Sequence, residues 1–257
     1  MILLDPQARP IVAHRGESAH APENTLVAFE RAVRLGVDAL EFDVRVTADD
    51  VPVVHHDPTL DRTTDASGPL RARPLAALRA CDAGARFSPD GGRTHPFRGQ
   101  AVRVPTLDEV LGAFSTVPLL IELKEAAAAG PARAVLDRHR AADRVVVASF
   151  VDEAVAPFRG TAYRTGASQR DAVRLLQATL LGRPVRPTYA AASLPPRWRG
   201  VPLPIAGFAR ALRAAGVPLH VWTVDDAGEA RRLWAAGVSG IISNDPATML
   251  PVRGRSH

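Results

Sequence analysis

Residues 38–56 read DALEFDVRVTADDVPVVHH, two apolar runs joined by a short polar segment. Only about a dozen residues lie between Asp43 and His56, and a parallel crossover needs at least that many in its connection alone. The two runs are therefore predicted to pair as an antiparallel hairpin with ADD at its tip. This hairpin would leave the sheet at the end of the first run and return to place His56 beside Asp43.

The rest of the chain alternates apolar, strand-like runs with helical patterns. Strands are predicted at 11–14, 38–44, 117–123, 145–149, 161–165, 188–193, 218–224 and 240–243. Continuously apolar strands that alternate with helices are typical of a parallel sheet covered by helices. With the hairpin set aside, these eight strands predict an α/β fold, a (β/α)8 TIM barrel, in a single domain over residues 1–257.

Residues 58–104 are rich in Pro, Gly and Arg and show little periodicity beyond LAALRA. A segment of this length is too long for an ordinary loop, and long loops are commonly functional. Because it begins next to His56, it is predicted to be an inserted segment, a partly ordered lid over the barrel mouth.

Composition and charge exclude several classes of protein. The net charge is +5, but the basic residues are scattered and mostly lack interleaved aromatics, so no nucleic-acid partner is expected. The start, MILLDPQARP, does not resemble a signal peptide, and no apolar run is long enough to span a membrane. We expect a cytoplasmic protein without stable membrane association. The oligomeric state is left open, and the single cysteine, Cys81, excludes an internal disulfide.

Polar side chains stand at the ends of four successive predicted strands, where a core strand should carry apolar ones. They are His14 and Arg15, then Glu41 and Asp43, then His56, and then Glu122 and Lys124. In barrel enzymes the active site lies at the carboxyl ends of the strands. These residues are therefore predicted to form one contiguous half-ring at the barrel mouth.

The three acids of this half-ring suggest a metal site. Residues two apart in a strand share a face, so Glu41 and Asp43 point the same way. With Glu122 they would repel one another and raise one another's pKa, a cost that a divalent cation removes. Oxygen ligands favour Mg2+ or Ca2+ over Zn2+. The alternative is that these acids form structural salt bridges with Arg15 and Lys124.

Two of the histidines flank the acids. Imidazole titrates near neutral pH, so His14 and His56 could serve as general base and general acid. Which histidine takes which role stays open. The neighbouring His55 points to the opposite side of the hairpin and is given no role.

Lys124 is the only lysine in the sequence. The other 31 of the 32 Lys and Arg residues are arginines. A compact ammonium at this position, rather than a planar guanidinium, fits a charge placed beside a metal and a phosphate. Chance is the alternative explanation.

Several segments together resemble the glycerophosphodiester phosphodiesterase family. AHRGESAHAPENTLVAFERAVRLGVDALEFDVRVTADDVPVVHHDPTLDRTT (13–64) is similar to the start of that family, and the similarity continues in VPTLDEVL, LLIELK, ASF, HVWTVDD and GVSGIISNDP. The resemblance spans nearly the whole chain and implies a TIM barrel of the phospholipase C-like type. Three positions depart from the family pattern, Asp50, Ser239 and Asn244, and none is expected to touch the catalytic set.

The resemblance also implies roles for individual residues. His14 and His56 would be the acid–base pair, and Arg15 and Lys124 would hold the phosphate. Glu41, Asp43 and Glu122 would bind the metal, Trp222 would line the glycerol side of the pocket, and Asn24 would be only a helix cap. The reaction would be metal-dependent hydrolysis of a glycerophosphodiester to an alcohol and sn-glycerol 3-phosphate, with either water or the neighbouring glycerol hydroxyl as nucleophile.

Two alternatives of another kind are considered. One is a lysophospholipase D-like or other lipid-directed phosphodiesterase, which would need an exposed apolar rim; Phe87 and Phe97 are the candidates within the insertion. The other is a non-catalytic barrel that binds phosphodiesters. Such a protein would be expected to have lost a histidine or a carboxylate, and this sequence has all of them.

Overall fold

A computed structural model describes residues 1–253 and contains the predicted hairpin. Strand β2 (Ala39–Val46) pairs antiparallel with β3 (Pro52–Val54), and Val44 lies opposite Val54. At the tip, Asp50 has a left-handed backbone (φ +56°), and its carboxylate lies 2.6 Å from Arg71. The last part of the predicted domain, 254–257, lies outside the described residues.

Eight parallel strands form the barrel. Besides β2 they are β1 (Ile11–His14), β4 (Leu119–Leu123), β5 (Val145–Ala148), β6 (Arg164–Thr165), β7 (Ala192–Leu194), β10 (Leu219–Val221) and β11 (Gly240–Ser243). Their spatial order is β6-β5-β4-β2-β1-β11-β10-β7. A parallel bridge between Gly166 and Ala191 joins the two outer strands, and Ala167 N–H donates to the Ala191 carbonyl at 2.9 Å. The predicted (β/α)8 barrel is confirmed.

Helices cover the barrel, except α2 (Leu75–Leu78), which lies within the insertion at 58–104. They are α1 (Leu26–Leu35), α2 (Leu75–Leu78), α3 (Leu107–Ala113), α4 (Ala129–Arg138), α5 (Asp152–Val155), α6 (Gln169–Leu180), α7 (Ile205–Ala214), α8 (Ala227–Ala235) and α9 (Pro246–Met249). Local chemistry explains several boundaries: α3 and α6 begin with capping boxes at Thr106 and Ser168, and α1 ends at the left-handed Gly36. No helix within residues 1–253 combines the length and apolar character of a membrane span.

Buried apolar side chains lie both outside and inside the strand barrel. Two large clusters, one around Phe29 and Phe42 and one around Phe208, pack the strands against the helices. A smaller cluster fills the barrel interior. Two of its members, Leu120 and Ile242, also line the cavity at the carboxyl ends of the strands, so this packing forms the floor of the site.

The insertion at 58–104 is ordered and has a small core of its own. Leu60, Leu70 and Leu78 are fully or almost fully buried there and pack with Val53 of β3. None of its residues lines the central cavity. The insertion reaches the site through Arg62, which contacts Asp57 and Glu23, and its role as a lid stays a prediction.

Candidate active site

A cavity of about 170 Å³ opens at the carboxyl ends of the strands. All of the residues predicted for the site, except Asp43, line it: His14, Arg15, Glu41, His56, Glu122, Lys124 and Trp222. Asp43 lies just behind the cavity wall, and only 1% of its surface is exposed. The structure therefore brings the whole predicted set together.

Oxygen atoms of Glu41, Asp43 and Glu122 all lie within 4.8 Å of one another. The reason is local: β2 and β4 are neighbours with Asp43 opposite Glu122, and Glu41 precedes Asp43 on the same face. Burial, followed by repulsion from Asp43 and Glu122, raises the pKa of Glu41 well above its usual value. Burial also raises the pKa of Glu122. The three carboxylates could hold a divalent cation.

The turn after β1 points Arg15 at this acidic group. Arg15 has a left-handed backbone and is followed by Gly16 at φ +86°, where an added Cβ would lie 2.6 Å from Ala28. Only glycine fits a positive φ at so close an approach. The guanidinium then lies 3.1 Å from Asp43 and 2.9 Å from Glu23.

Lys124 extends from the end of β4 into the same group. Its ammonium lies 2.9 Å from Glu122 and 3.3 Å from Asp43. Burial alone would raise the pKa of Asp43, but Arg15 and Lys124 bring it below its usual value. Structural salt bridges with Arg15 and Lys124 thus balance the negative charges of Asp43 and Glu122. Among the described residues, however, no Lys or Arg side chain lies within 4.0 Å of the Glu41 carboxylate, and His14 Nε2 lies 3.9 Å from it.

The prediction that Asn24 is only a helix cap is wrong. Thr25 is the cap of α1, and its side chain accepts the Ala28 N–H. Asn24 is buried in a left-handed conformation, which asparagine tolerates better than most residues. Its amide donates to Asp43 Oδ2 at 2.9 Å, and the Asp43 N–H donates to Asn24 Oδ1 at 3.3 Å. Asn24 therefore fixes one of the three carboxylates, a role that nothing in its local sequence indicates.

Asn244 determines which nitrogen of His14 carries the proton. The Asp225 carboxylate can only accept, so the Asn244 NH2 must point toward it, where the Nδ2–Oδ2 distance is 2.8 Å. Asn244 Oδ1 then faces His14 Nδ1 at 2.7 Å, which makes Nδ1 the donor. His14 Nε2 is left unprotonated and lies toward the cavity. Burial, with Arg15 nearby, lowers the pKa of His14 and favours this neutral form.

This contact corrects a second prediction, that no departure from the family pattern touches the catalytic set. Asn244 follows β11, which pairs with β1, so barrel closure brings it beside His14 from 230 residues away. Ser239 lies at the opposite end of β11, where its hydroxyl donates to the Pro6 carbonyl at 3.3 Å. Ser239 therefore stays outside the site, as expected.

His56 has a different partner. Its Nδ1 lies 2.6 Å from Asp57 Oδ1. Although burial opposes ionisation, hydrogen bonds from Arg62 and His56 hold the pKa of Asp57 far below its usual value, so this carboxylate accepts the His56 Nδ1–H. Burial lowers the pKa of His56, whereas Asp43 and Asp57 oppose that effect. The Nδ1 of His56 thus has a carboxylate as its hydrogen-bond partner, whereas the Nδ1 of His14 has a neutral amide.

Arg62, from the insertion, links the two sides of the site. It donates to Asp57 at 2.6 Å and, in bidentate fashion, to Glu23 at 2.6 and 2.8 Å. Glu23 in turn accepts from Arg15 at 2.9 Å. An unbroken series of ion pairs therefore runs from Arg15 to His56. Charge-assisted bidentate bonds of this kind are geometrically specific, so Arg62 holds both ends in register.

Two aromatic rings form part of the remaining wall. Trp222 follows β10, and its ring lies 5.8 Å from Phe150 in an edge-on arrangement. Phe150 follows β5 and also lines the cavity, although sequence reasoning assigned it no role. Its position at a strand end, the criterion applied to the polar residues, could have identified it.

Comparisons with known proteins find similar sequences along nearly the whole chain. A model described as the glycerophosphoryl diester phosphodiesterase family matches residues 14–248. A glycerophosphodiester phosphodiesterase of Caldanaerobacter subterraneus subsp. tengcongensis is 32% identical over 249 residues, covering 93% of this chain and 96% of the relative. One from Bacillus subtilis is 28% identical over 260 residues, covering 95% and 86%.

Solved structures show the same similarity. The glycerophosphoryl diester phosphodiesterase domain of an uncharacterized Mycobacterium tuberculosis protein aligns with a TM-score of 0.84 at 24% identity, over 96% of this chain and 98% of that one. An Oleispira antarctica phosphodiesterase, solved in complex with the product sn-glycerol-3-phosphate, aligns with a TM-score of 0.76 at 26% identity, over 95% and 96%.

Proposed function

Because the chain belongs to the glycerophosphoryl diester phosphodiesterase family, we propose that it hydrolyses glycerophosphodiesters to an alcohol and sn-glycerol 3-phosphate with a divalent cation. The observation that carries this proposal is one cavity lined by His14 and His56 together with the carboxylate triad. The Oleispira relative, which holds sn-glycerol-3-phosphate as product, supports the choice of substrate class.

The cation would be Mg2+ or Ca2+, held by Glu41, Asp43 and Glu122. Their oxygen-only donor set and mutual distances fit a hard cation, and Glu41 lacks a Lys or Arg partner within the described part of the chain. When bound, the cation supplies positive charge to the phosphate oxygens, where charge concentrates in the transition state.

Arg15 and Lys124 are proposed to bind the phosphate. Both line the cavity and carry charge beside the triad, so they would fix the substrate's orientation and stabilise the developing charge. Arg15 forms ion pairs with Glu23 and Asp43, and Lys124 forms ion pairs with Glu122 and Asp43. Both side chains are therefore fixed in position before the substrate binds.

The partners of the two histidines indicate how their roles divide. His14 faces the neutral Asn244 and keeps an unprotonated Nε2, which suits a general base. His56 faces the ionised Asp57, which stabilises an imidazolium and suits a general acid for the leaving alcohol. His14 Nε2 could take the proton of either nucleophile, water or the adjacent glycerol hydroxyl.

The alternative of a non-catalytic binding barrel is less consistent with these contacts. Binding alone requires no oriented imidazoles, whereas each histidine here has a dedicated partner. The test is release of sn-glycerol 3-phosphate from glycerophosphocholine and glycerophosphoethanolamine by the purified protein with Mg2+ or Ca2+. Tight binding of both compounds without product formation would establish the binding barrel instead.

Replacing Lys124 with Arg is expected to reduce kcat/KM by about a hundredfold, because a misplacement of about 1 Å at a reacting centre can cost that much. The longer, planar guanidinium does not fit between Asp43 and Glu122 as an ammonium does. The melting temperature should change little, since the charge is kept. Steady-state kinetics beside a melting curve measures both. Activity within about twofold of the wild type would show that the lone lysine is an accident of composition.

Replacing Asn244 with Ala is expected to lower kcat by roughly tenfold to a hundredfold, the range in which loss of an orienting partner acts. The Ala side chain leaves His14 Nδ1 without its acceptor, so the ring loses its fixed tautomer. Ser18→Ala is the matched control, because it removes a hydroxyl that lies 2.9 Å from Asn244 Oδ1 and 2.8 Å from the His14 carbonyl but keeps the contact between Asn244 and His14 Nδ1. Equal kcat values for Asn244→Ala and the wild type would remove Asn244 from the mechanism.

A further inference from the structure

An apolar groove lies beside the proposed active site, between α6 and the segment after β7. It has a volume of about 100 Å³, and its walls include Phe150, Val173, Leu176, Leu194, Trp198 and Phe208. Gln169 is the one polar side chain among the described residues that line it, and none of them is charged. Such a lining favours a hydrocarbon ligand over a polar or cationic one.

The groove adjoins the active-site cavity, because the Phe150 side chain lines both. The Phe150 ring lies 5.8 Å from Trp222 on the cavity side and 6.0 Å from Trp198 on the groove side. The three rings form a row that leads from the phosphate-binding residues into the groove. A substrate with an apolar extension could therefore occupy both at once.

Two of the apolar side chains that line this groove are exposed. Trp198 sits on a short hairpin of β8 (Arg197–Trp198) and β9 (Val201–Pro202) and is 41% exposed. Across the groove, Val173 of α6 is 48% exposed. Grouped exposed apolar residues next to a cavity are typical of a binding surface. The aromatic pair of the insertion, Phe87 and Phe97, instead packs on itself with ring centroids 5.5 Å apart.

We propose that this groove binds the hydrocarbon chain of a monoacylated glycerophosphodiester, and that lysophospholipids are substrates of the same site. The inference rests on the proposed function. With no carboxylate lining it, the groove does not suit a cationic head group, so the acylated glycerol end enters it. Water would add its oxygen to phosphorus, and the leaving head-group alcohol would take the proton, while the acyl ester stays intact. The products are a monoacylglycerol phosphate and the free alcohol.

The experiment compares kcat/KM for glycerophosphocholine with that for hexanoyl-, octanoyl- and decanoyl-lysophosphatidylcholine, each below its micellar concentration, with Mg2+ or Ca2+ present. A fully buried methylene corresponds to about a fourfold gain, and partial burial in an open groove to less. We therefore expect kcat/KM to rise with chain length and to exceed that of glycerophosphocholine at least about tenfold for the decanoyl substrate.

A matched pair of variants tests the location. Val173→Glu places a charge in the groove. It is expected to remove at least about four-fifths of the increase in kcat/KM that the decanoyl chain gives, and to leave the hydrolysis of glycerophosphocholine unchanged. Leu180→Glu is the control, because Leu180 lies on the same helix, is 71% exposed and does not line the groove. It should leave both substrates unaffected.

The other outcomes overturn the inference in distinguishable ways. If glycerophosphocholine is hydrolysed but the acyl chain does not raise kcat/KM, the acyl site alone is overturned. If neither substrate is hydrolysed, the proposed function is overturned with it. If the rise in kcat/KM with acyl-chain length survives Val173→Glu, the acyl chain binds outside this groove. A dimer in sedimentation that Val173→Glu dissociates assigns the groove to a second copy of the chain.

Discussion

Replacing His14 or His56 with alanine is expected to lower kcat by at least about a hundredfold, the low end of what general acid–base catalysis contributes. Each imidazole presents Nε2 to the cavity while a partner fixes Nδ1, so alanine removes a positioned proton acceptor or donor. Neither side chain belongs to the apolar core. The measurement is steady-state kinetics on glycerophosphocholine, with a melting curve for each variant.

The control is His139→Ala. This histidine contacts Asp108 between α3 and α4, outside the cavity, and its loss should leave kcat unchanged. If either active-site variant keeps wild-type kcat with a wild-type melting curve, that histidine takes no part in proton transfer.

The leaving group separates the two roles. A p-nitrophenyl ester of glycerol phosphate releases a stable phenolate and does not require a general acid. His56→Ala should therefore recover most of its lost activity on this ester, whereas His14→Ala should not, because the nucleophile still needs a base. If His14→Ala recovers activity on this ester and His56→Ala does not, His14 is the general acid and His56 the general base.

Removal of divalent cations is expected to abolish activity, and added Mg2+ or Ca2+ should restore it. Without a cation, the three carboxylates of Glu41, Asp43 and Glu122 face one another within 4.8 Å, and the phosphate loses the positive charge that the cation would add to that of Arg15 and Lys124. The measurement is activity after dialysis against chelator and then against each cation. Full activity in excess chelator would exclude the metal assignment.

Thermal unfolding gives a second readout that does not depend on activity. A ligand that binds only the folded state adds about 2.7 kcal/mol at a hundred times its Kd. For a chain of this size each kcal/mol corresponds to roughly 2–4 °C, so the melting temperature should rise by about 5–10 °C. Glu41→Gln should largely remove this rise, whereas Glu30→Gln, an exposed glutamate on α1, should keep it.

The elements next to one another in the chain could be predicted from the sequence. The hairpin followed from the short link between Asp43 and His56, because covalent geometry does not allow a parallel crossover of that length. The shared face of Glu41 and Asp43 followed from the two-residue period of a strand. Each of these inferences needs only the local backbone, and the structure agrees with both.

The boundaries of the closing strands were less predictable. A strand was expected at 161–165, but β6 contains only Arg164 and Thr165, and the join to β7 runs through the bridge between Gly166 and Ala191. Where two short strands meet, the pairing depends on the curvature of the whole barrel. Apolar runs of a few residues carry no information about that curvature.

By itself, the sequence determined the barrel class and predicted that the polar residues at the strand ends meet at one mouth, because alternation and connection length are local properties. The place of Trp222 in the pocket followed only from the family resemblance. Only the tertiary structure decided what surrounds those residues. Asn244 meets His14 from 230 residues away, and Arg62 joins Glu23 to Asp57. Phe150 joins Trp222 to Trp198. These contacts arise when barrel closure brings distant strand ends together and packing selects the rotamers, and neither event is encoded in any short segment of the chain.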